Sequence, residues 1–373
     1  MKKIKIYLFA LLIGIREFCV AATPTITNVK AQYLHPWGKV AISYEVKGDV
    51  APETPLFVSA KDTVAGKQYY ADHACLSGDI SIAEGLHRIV WDMEKQGVDI
   101  DSGKVVFTVS YGLYLVVDLS VGKNAKTYPV SCMYSEPIGG WTDEYKTTKL
   151  VLRRIKPGSF KMNGSYDVIL TKPYYMGVFE VTQKQYELVT GKNPSNFSGA
   201  TLPVEKVSWN DIRGDSGTHN WPTIKIVDAN SFVGRLRVRT GLTFDLPTEA
   251  QWEYACRART TTIYYWGNSW SGDYSWCCLN ADHATHPVGT RKANAWGLYD
   301  MSGNVWEWCL DWYGNLSSGS DPMGSSSGSR RVLRGGGWDY GTDSCNSSCR
   351  MDNYYPSDRY RYNGFRLACF VGL

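Results

Sequence analysis

Twenty-six consecutive residues, Trp338 to Asn363, contain no Leu, Ile, Val, Phe, Ala, Lys or Glu; they hold five Tyr, four Ser, four Asp, three Asn and three Arg. Without aliphatic side chains, the stretch offers neither the helical nor the alternating apolar period that lets an element cover a core. It is bracketed by RGGGW (Arg334 to Trp338) and GFRLA (Gly364 to Ala368). Such a segment must be an ordered loop pinned by the packing of Trp and Tyr. Tyr with Ser, Asn and Gly is also the composition of recognition loops, because Tyr gives large, rigid contacts at low entropic cost. Trp338, Tyr340, Tyr354, Tyr355, Tyr360 and Tyr362 are therefore the expected contact residues, with Arg350, Arg359 and Arg361 available for acidic groups.

The rest of the chain bounds the alternatives. At 373 residues it is long enough for two domains. Its formal net charge of +4 is near balance, and no basic stripe speaks for nucleic acid. Residues 1–22 read as an export signal, with Lys2, Lys3 and Lys5 ahead of the apolar run Ile6 to Ile15 and Val20-Ala21-Ala22 as a small-residue cleavage site. Arg16 and Glu17 keep that run too short to span a bilayer, and no other segment offers the roughly 18 apolar residues a membrane helix needs. The expected location is the periplasm, the cell surface or the medium, where disulfides form. Beyond Cys19 the chain has nine cysteines, an odd number that leaves at least one free or paired between chains.

Residues 23–115 alternate in the manner of short strands: Val40, Ile42, Tyr44 and Val46 fall on one face, as do Val105, Phe107 and Val109. A small immunoglobulin- or fibronectin-like β-sandwich is expected, serving as a spacer. Residues 116–146 read as a linker, and a second domain runs from 147 to 373. Its helices are short and marked. Thr182 with Gln185 and Thr248 with Gln251 form capping boxes, Gly191 closes the first of these helices, and Asp228 is the expected cap of a helix carrying Phe232 and Leu236 on one face. Beyond residue 260 regular periodicity fades.

Four blocks follow in order in this region: LPTEAQWEYACRA (Leu246 to Ala258), WGLYDMSGNVWEW (Trp296 to Trp308), RVLRGGGW (Arg331 to Trp338) and NGFRLA (Asn363 to Ala368). Together they resemble the sulfatase-modifying factor family, whose founding activity converts a sulfatase cysteine to formylglycine. The resemblance implies an α+β fold, a variant of the C-type lectin fold with short helices and much irregular structure. Active members carry two cysteines five apart just after the Arg-Gly-Gly turn, and these bind copper through soft thiolates. On that pattern the first position is Tyr340 and the second is Cys345. Two functions follow from this. One is a binding module for a peptide, protein or glycan that uses the 338–363 surface; the other is a divergent copper oxidase with Cys345 as the surviving ligand.

The resemblance implies further ligands. The carbonyls of Ser302, Gly303 and Val305 with the carboxylate of Glu307 correspond to a structural calcium site. Cys256 and Cys349 correspond to a bridged pair. The bracketed Tyr-rich stretch also resembles the variable region of C-type-lectin-fold proteins diversified by retroelements. Two other patterns carry little. His283 and His286 lie in a loop without partner histidines, and Gly324-Ser325-Ser326-Ser327-Gly328 lacks the strand and helix that frame a nucleophile elbow. Ligand identity and oligomeric state are not legible from the chain.

Overall fold

The computed structural model describes residues 25–34, 38–48, 56–71, 75–80, 83–100, 104–215, 217–223, 225–352 and 354–370. The export signal read at residues 1–22 lies outside these. The N-terminal part folds as two antiparallel sheets. One orders the strands Thr25–Leu34, Lys39–Lys47, Gly85–Asp92 and Leu76–Gly78; the other orders Gln68–Tyr70, Leu56–Asp62 and Val105–Tyr111. Val40, Ile42, Tyr44 and Val46 are all buried, and they meet Leu56, Val58 and Val109 of the opposite sheet in one core. That alternation is what a half-buried strand requires.

The stretch expected to be a linker, 116–146, is instead built into the second domain. Tyr114–Asp118 pairs antiparallel with Lys149–Ile155 on one side and with Val130–Met133 on the other. Both strands join a six-stranded sheet with Tyr174–Gly177, Ala368–Phe370 and Thr243–Asp245. Leu115, Val117, Leu119 and Tyr128 are buried in the main core, so part of the segment read as a linker, with Leu115 beside it, is a core strand. Phe57 and Tyr70 of the sandwich pack into that same core.

Four short helices follow the sheet: α1 (Gln183–Thr190), α2 (Trp209–Arg213), α3 (Phe232–Thr240) and α4 (Glu249–Arg257). The capping boxes Thr182/Gln185 and Thr248/Gln251 are both formed, and Gly191 closes α1 with a left-handed φ of 79°. The cap of α3 is Ser231 and not Asp228: the Ser231 hydroxyl accepts from the Gly234 N–H, while the Asp228 carbonyl accepts from Ser231. Phe232 and Leu236 are buried together as the spacing requires.

A second core layer is carried by the sheet Arg350–Met351, Arg331–Arg334, Trp306–Trp312, Asn363–Gly364. Its interior holds an unusual set of fully buried arginines, Arg213, Arg331, Arg334 and Arg366. Buried guanidinium groups need partners. Arg366 takes both oxygens of Glu307, Arg213 takes Asp245 and Arg334 takes Glu253, whereas Arg331 is sandwiched between Trp209 and Trp312.

Candidate functional site

The site is assembled where the sheet edge meets the 338–363 loop. The Arg334 strand ends in Gly335 and Gly336, with φ of 96° and 80°. A β-carbon at Gly336 would stand 2.8 Å from both the Cys345 sulfur and the Ser344 carbonyl, so the loop folds back directly onto this glycine. The Gly335 carbonyl accepts from the Gly303 N–H and the Asn304 carbonyl from the Trp338 N–H, which docks the turn on the SGN segment.

From there the scaffold holds the loop by its main chain. Arg334 donates to the carbonyls of Ser347 and Cys349. The carbonyls of Tyr340, Tyr354, Pro356, Tyr360 and Tyr362 accept from the N–H groups of Cys278, Arg331, Asn210, Lys206 and Trp306 respectively. The Trp338 indole donates to the Arg361 carbonyl. Apart from the Trp338 indole, none of these bonds depends on which side chain the loop residue carries.

The expected contact residues divide into two sets. Trp338 and Tyr354 are buried and serve as supports. Arg350 lies against α4, paired bidentately with Glu249, and is part of the anchoring. Tyr340, Tyr354 and Tyr362 form a chain of phenols, with oxygens 3.1 and 3.0 Å apart, and Tyr340 also meets Trp306 edge-on. Burial raises the pKa of the Tyr340 hydroxyl, and the bonds to Tyr354 and Tyr362 raise it further. The outward set is Tyr355, Tyr360, Arg359 and Arg361, with Asp339 beside them. Tyr360 stacks on Tyr362 at 4°, Arg361 lies 5.0 Å above the Trp338 ring, and Arg359 is clamped by Asp211. Cys278 and Leu279 extend this face, brought there by the Cys278–Tyr340 main-chain bond. Sequence reading had no signal for them, because that approach is a long-range one.

Cys345 sits under the face. It is fully buried with Cys277 and Tyr264, against Trp266 and Trp270. Burial pushes its thiol up to about 12, and burial likewise raises Cys277. A second sulfur therefore shares the pocket of Cys345, yet both are enclosed and held as thiols, with no open groove between them. The copper chemistry needs sulfurs open to oxygen and a substrate thiol, and these two are fully buried. Cys256 and Cys349, the expected bridge, are both free thiols; the Cys256 sulfur lies 3.6 Å from the Met301 carbonyl. Cys278 is the exposed cysteine among the described residues. Native alkylation should accordingly tag Cys278 first and leave Cys345 and Cys277 unlabelled until denaturant is added, as peptide mass mapping would read. Rapid native labelling of Cys345 would contradict its burial.

The carboxylate of the expected calcium set has partners within the protein. Both Glu307 oxygens are taken by the Arg366 guanidinium at 2.6 Å, and one of them accepts in addition from the Trp252 indole. Three of the carboxylate's roughly four lone-pair sites are thereby filled within the protein. Asn304 donates to Glu180 and to the His286 carbonyl. Among the described residues no group of three His, Cys, Asp or Glu side chains is arranged to hold a metal ion, and no helix is long and apolar enough to cross a membrane. His286 stacks on Trp276 at 3.6 Å with its Nε2 near the Ala281 carbonyl, a structural role.

Comparisons with known proteins agree with this architecture. Residues 142–370 match the sulfatase-modifying factor enzyme 1-like domain. The chain is 32% identical over 222 residues to the chaperone protein LppX of Paenibacillus barcinonensis, covering 49% of this chain and 77% of that one. It is 33% identical over 238 residues to the formylglycine-generating enzyme of Thermomonospora curvata, covering 57% and 69%. Among solved structures, Treponema denticola variable protein 1 superposes with a TM-score of 0.50 at 27% identity, over 60% of this chain and 95% of that one.

Proposed function

The chain belongs to the sulfatase-modifying factor family, and from that premise we propose that it is an exported binding member that holds a peptide, protein or glycan on its 338–363 face without turning it over. The observation that carries this reading is the state of the reactive position: Tyr340 stands in a phenol chain where a thiolate is needed, and Cys345 is a buried thiol. The loop's attachment supports the same conclusion. Because the scaffold grips main-chain carbonyls, the outward side chains can change without loosening the fold, which is what a recognition loop needs. The likeness to a protein named as variable, and to one named as a chaperone, is consistent with family members that bind. Diversification of this loop by a retroelement is part of the proposal; a template repeat and a reverse transcriptase in the neighbouring DNA are its genetic signature.

The test has two arms. Incubated with Cu(I), oxygen and a Cys-x-Pro-x-Arg peptide, the protein should leave the peptide's mass unchanged; aldehyde that disappears in Cys345→Ser would establish an oxidase instead. In the second arm, peptides selected from a displayed library on the wild type are retested on the combined Tyr355→Ala, Tyr360→Ala, Arg361→Ala variant. Exposed aromatic and arginine contacts commonly contribute more than about 1 kcal/mol each, so affinity should fall at least about tenfold. Unchanged affinity would place the binding face elsewhere.

A further inference from the structure

A cleft of about 480 Å³ opens between the α4 terminus and the hairpin Gly158–Met162 and Tyr166–Leu170. That volume lies within the range of small-molecule sites. Its lining includes Lys161, Arg257 and Arg259 and no acidic residue. Two of these charges are already matched: Lys161 pairs with Asp167 at 2.8 Å, and Arg257 is held by Glu253, the Thr262 carbonyl and Ser348. Arg259 has no ion-pair partner among the described residues.

The backbone goes out of its way to present Arg259. Ala258 and Arg259 both adopt positive φ, 44° and 80°, conformations that side chains with a β-carbon rarely occupy and that cost free energy at each residue. The turn carries Arg259 past the helix end to the mouth of the cleft, where it lies close enough to the Tyr254 phenol to lower that group's pKa against the rise from burial. The Tyr254 ring forms the floor, tilted against Phe160 at 5.3 Å and edge-on to Trp296 at 5.0 Å. A β-carbon at Gly158 would fall 2.2 Å from the Tyr254 oxygen, so that hydroxyl reaches the cleft wall only because residue 158 is glycine. Thr261 contributes a further hydroxyl at the rim.

We propose that this cleft is a second binding site, separate from the tyrosine face, for a sugar unit bearing one carboxylate. The single unmatched guanidinium selects a monoanion and bonds a carboxylate through two parallel N–H groups. The Tyr254 and Phe160 rings cover the apolar face of a sugar ring, and the Tyr254 and Thr261 hydroxyls meet its own hydroxyls.

Titration followed by NMR of the full chain tests this, with galacturonate as the acidic probe and galactose as its uncharged counterpart. Saturable shifts are expected with galacturonate and not with galactose. Arg259→Ala should weaken binding at least about tenfold, the size of a lost charge-assisted pair, and Arg259→Lys should fall between. Because Arg259 is exposed, both variants should keep the wild-type melting temperature. Tyr360→Ala should bind the sugar as the wild type does; a loss there would overturn the assignment of a separate site. Equal binding of galactose, inorganic phosphate competing as well as galacturonate, an unaffected Arg259→Ala or no saturable binding would each overturn the proposal.

Discussion

Replacing Arg366 with Met should cost the protein about 3–5 kcal/mol, the range found when one partner of a buried ion pair is removed. Domains of ordinary stability hold only about 5–15 kcal/mol in all, so the variant is expected to unfold at a much lower urea concentration than the wild type. The cost has identifiable parts. Arg366 donates to both oxygens of Glu307 and to the carbonyls of Gly177 and Tyr299, and it is the guanidinium that faces Glu180 and Asp300. Met restores the volume and none of those donors, leaving Glu307 in a buried cluster of three carboxylates. The double variant Arg366→Met, Glu307→Leu removes the stranded charge as well as the guanidinium, and it should be more stable than the single Arg366→Met. Urea unfolding of the wild type, both single variants and the double variant measures the coupling directly. A single variant within about 1 kcal/mol of wild type would mean that the pair does not organise this core.

That pair also shows where sequence reading stopped. The family resemblance makes Glu307 a calcium ligand; the guanidinium it pairs with is 59 residues away, inside a block recognised only as a family signature. Arg334 and Glu253, 81 apart, are likewise invisible to any local rule. Composition assigns arginine to the surface, and here four arginines lie in the interior because Trp faces and acids from distant strands meet them. Local chemistry was legible. The capping boxes of α1 and α4 depend on residues three apart, and the alternation of Val40 to Val46 needs only the strand's own pleat. The 116–146 segment failed for the same reason as Glu307: Leu115 and Val117 look like a connector until Leu150 and Leu152 are beside them.

At the candidate site the tyrosines were identifiable by type but not by role. A stretch containing Tyr340, Tyr354, Tyr355, Tyr360 and Tyr362 announces aromatic contact. Only the fold decides that Tyr340, Tyr354 and Tyr362 bond one another while Tyr355 and Tyr360 face solvent. Cys345 was legible as a position and not as a chemical state, because its protonation follows from burial beside Cys277 and Tyr264.

The carboxylates buried with these arginines make stability depend on pH in an unusual direction. Asp300 is raised to about 6 and Asp311 to about 7, burial being the larger cause in each; Glu205 is also raised to about 7 by burial, and Glu180 is raised well above the ordinary range. A carboxylate whose folded pKa exceeds its unfolded one holds its proton longer in the native state, so its contribution is complete below about pH 4 and is lost as pH rises through 6 to 7. Asp211, lowered by Arg359 and Ser208 against its burial, acts oppositely, and its contribution is lost only as pH falls below the ordinary carboxylate value. Stability should therefore be greatest near pH 4, decline as pH rises through 6 to 7, and level off toward pH 8. A shift of two to three units corresponds to about 3–4 kcal/mol for one isolated group, so the summed decline is of the order of a few kcal/mol after neighbouring arginines relax it. Asp311→Asn isolates one contributor. The amide oxygen still accepts the Glu249 N–H that Asp311 accepts at 2.8 Å, and no charge forms beside Glu249. Denaturation midpoints of this variant should exceed those of the wild type at pH 8 and match them at pH 4. A wild-type midpoint that climbs from pH 5 to pH 8 would mean these acids are ionised and matched by their arginines throughout.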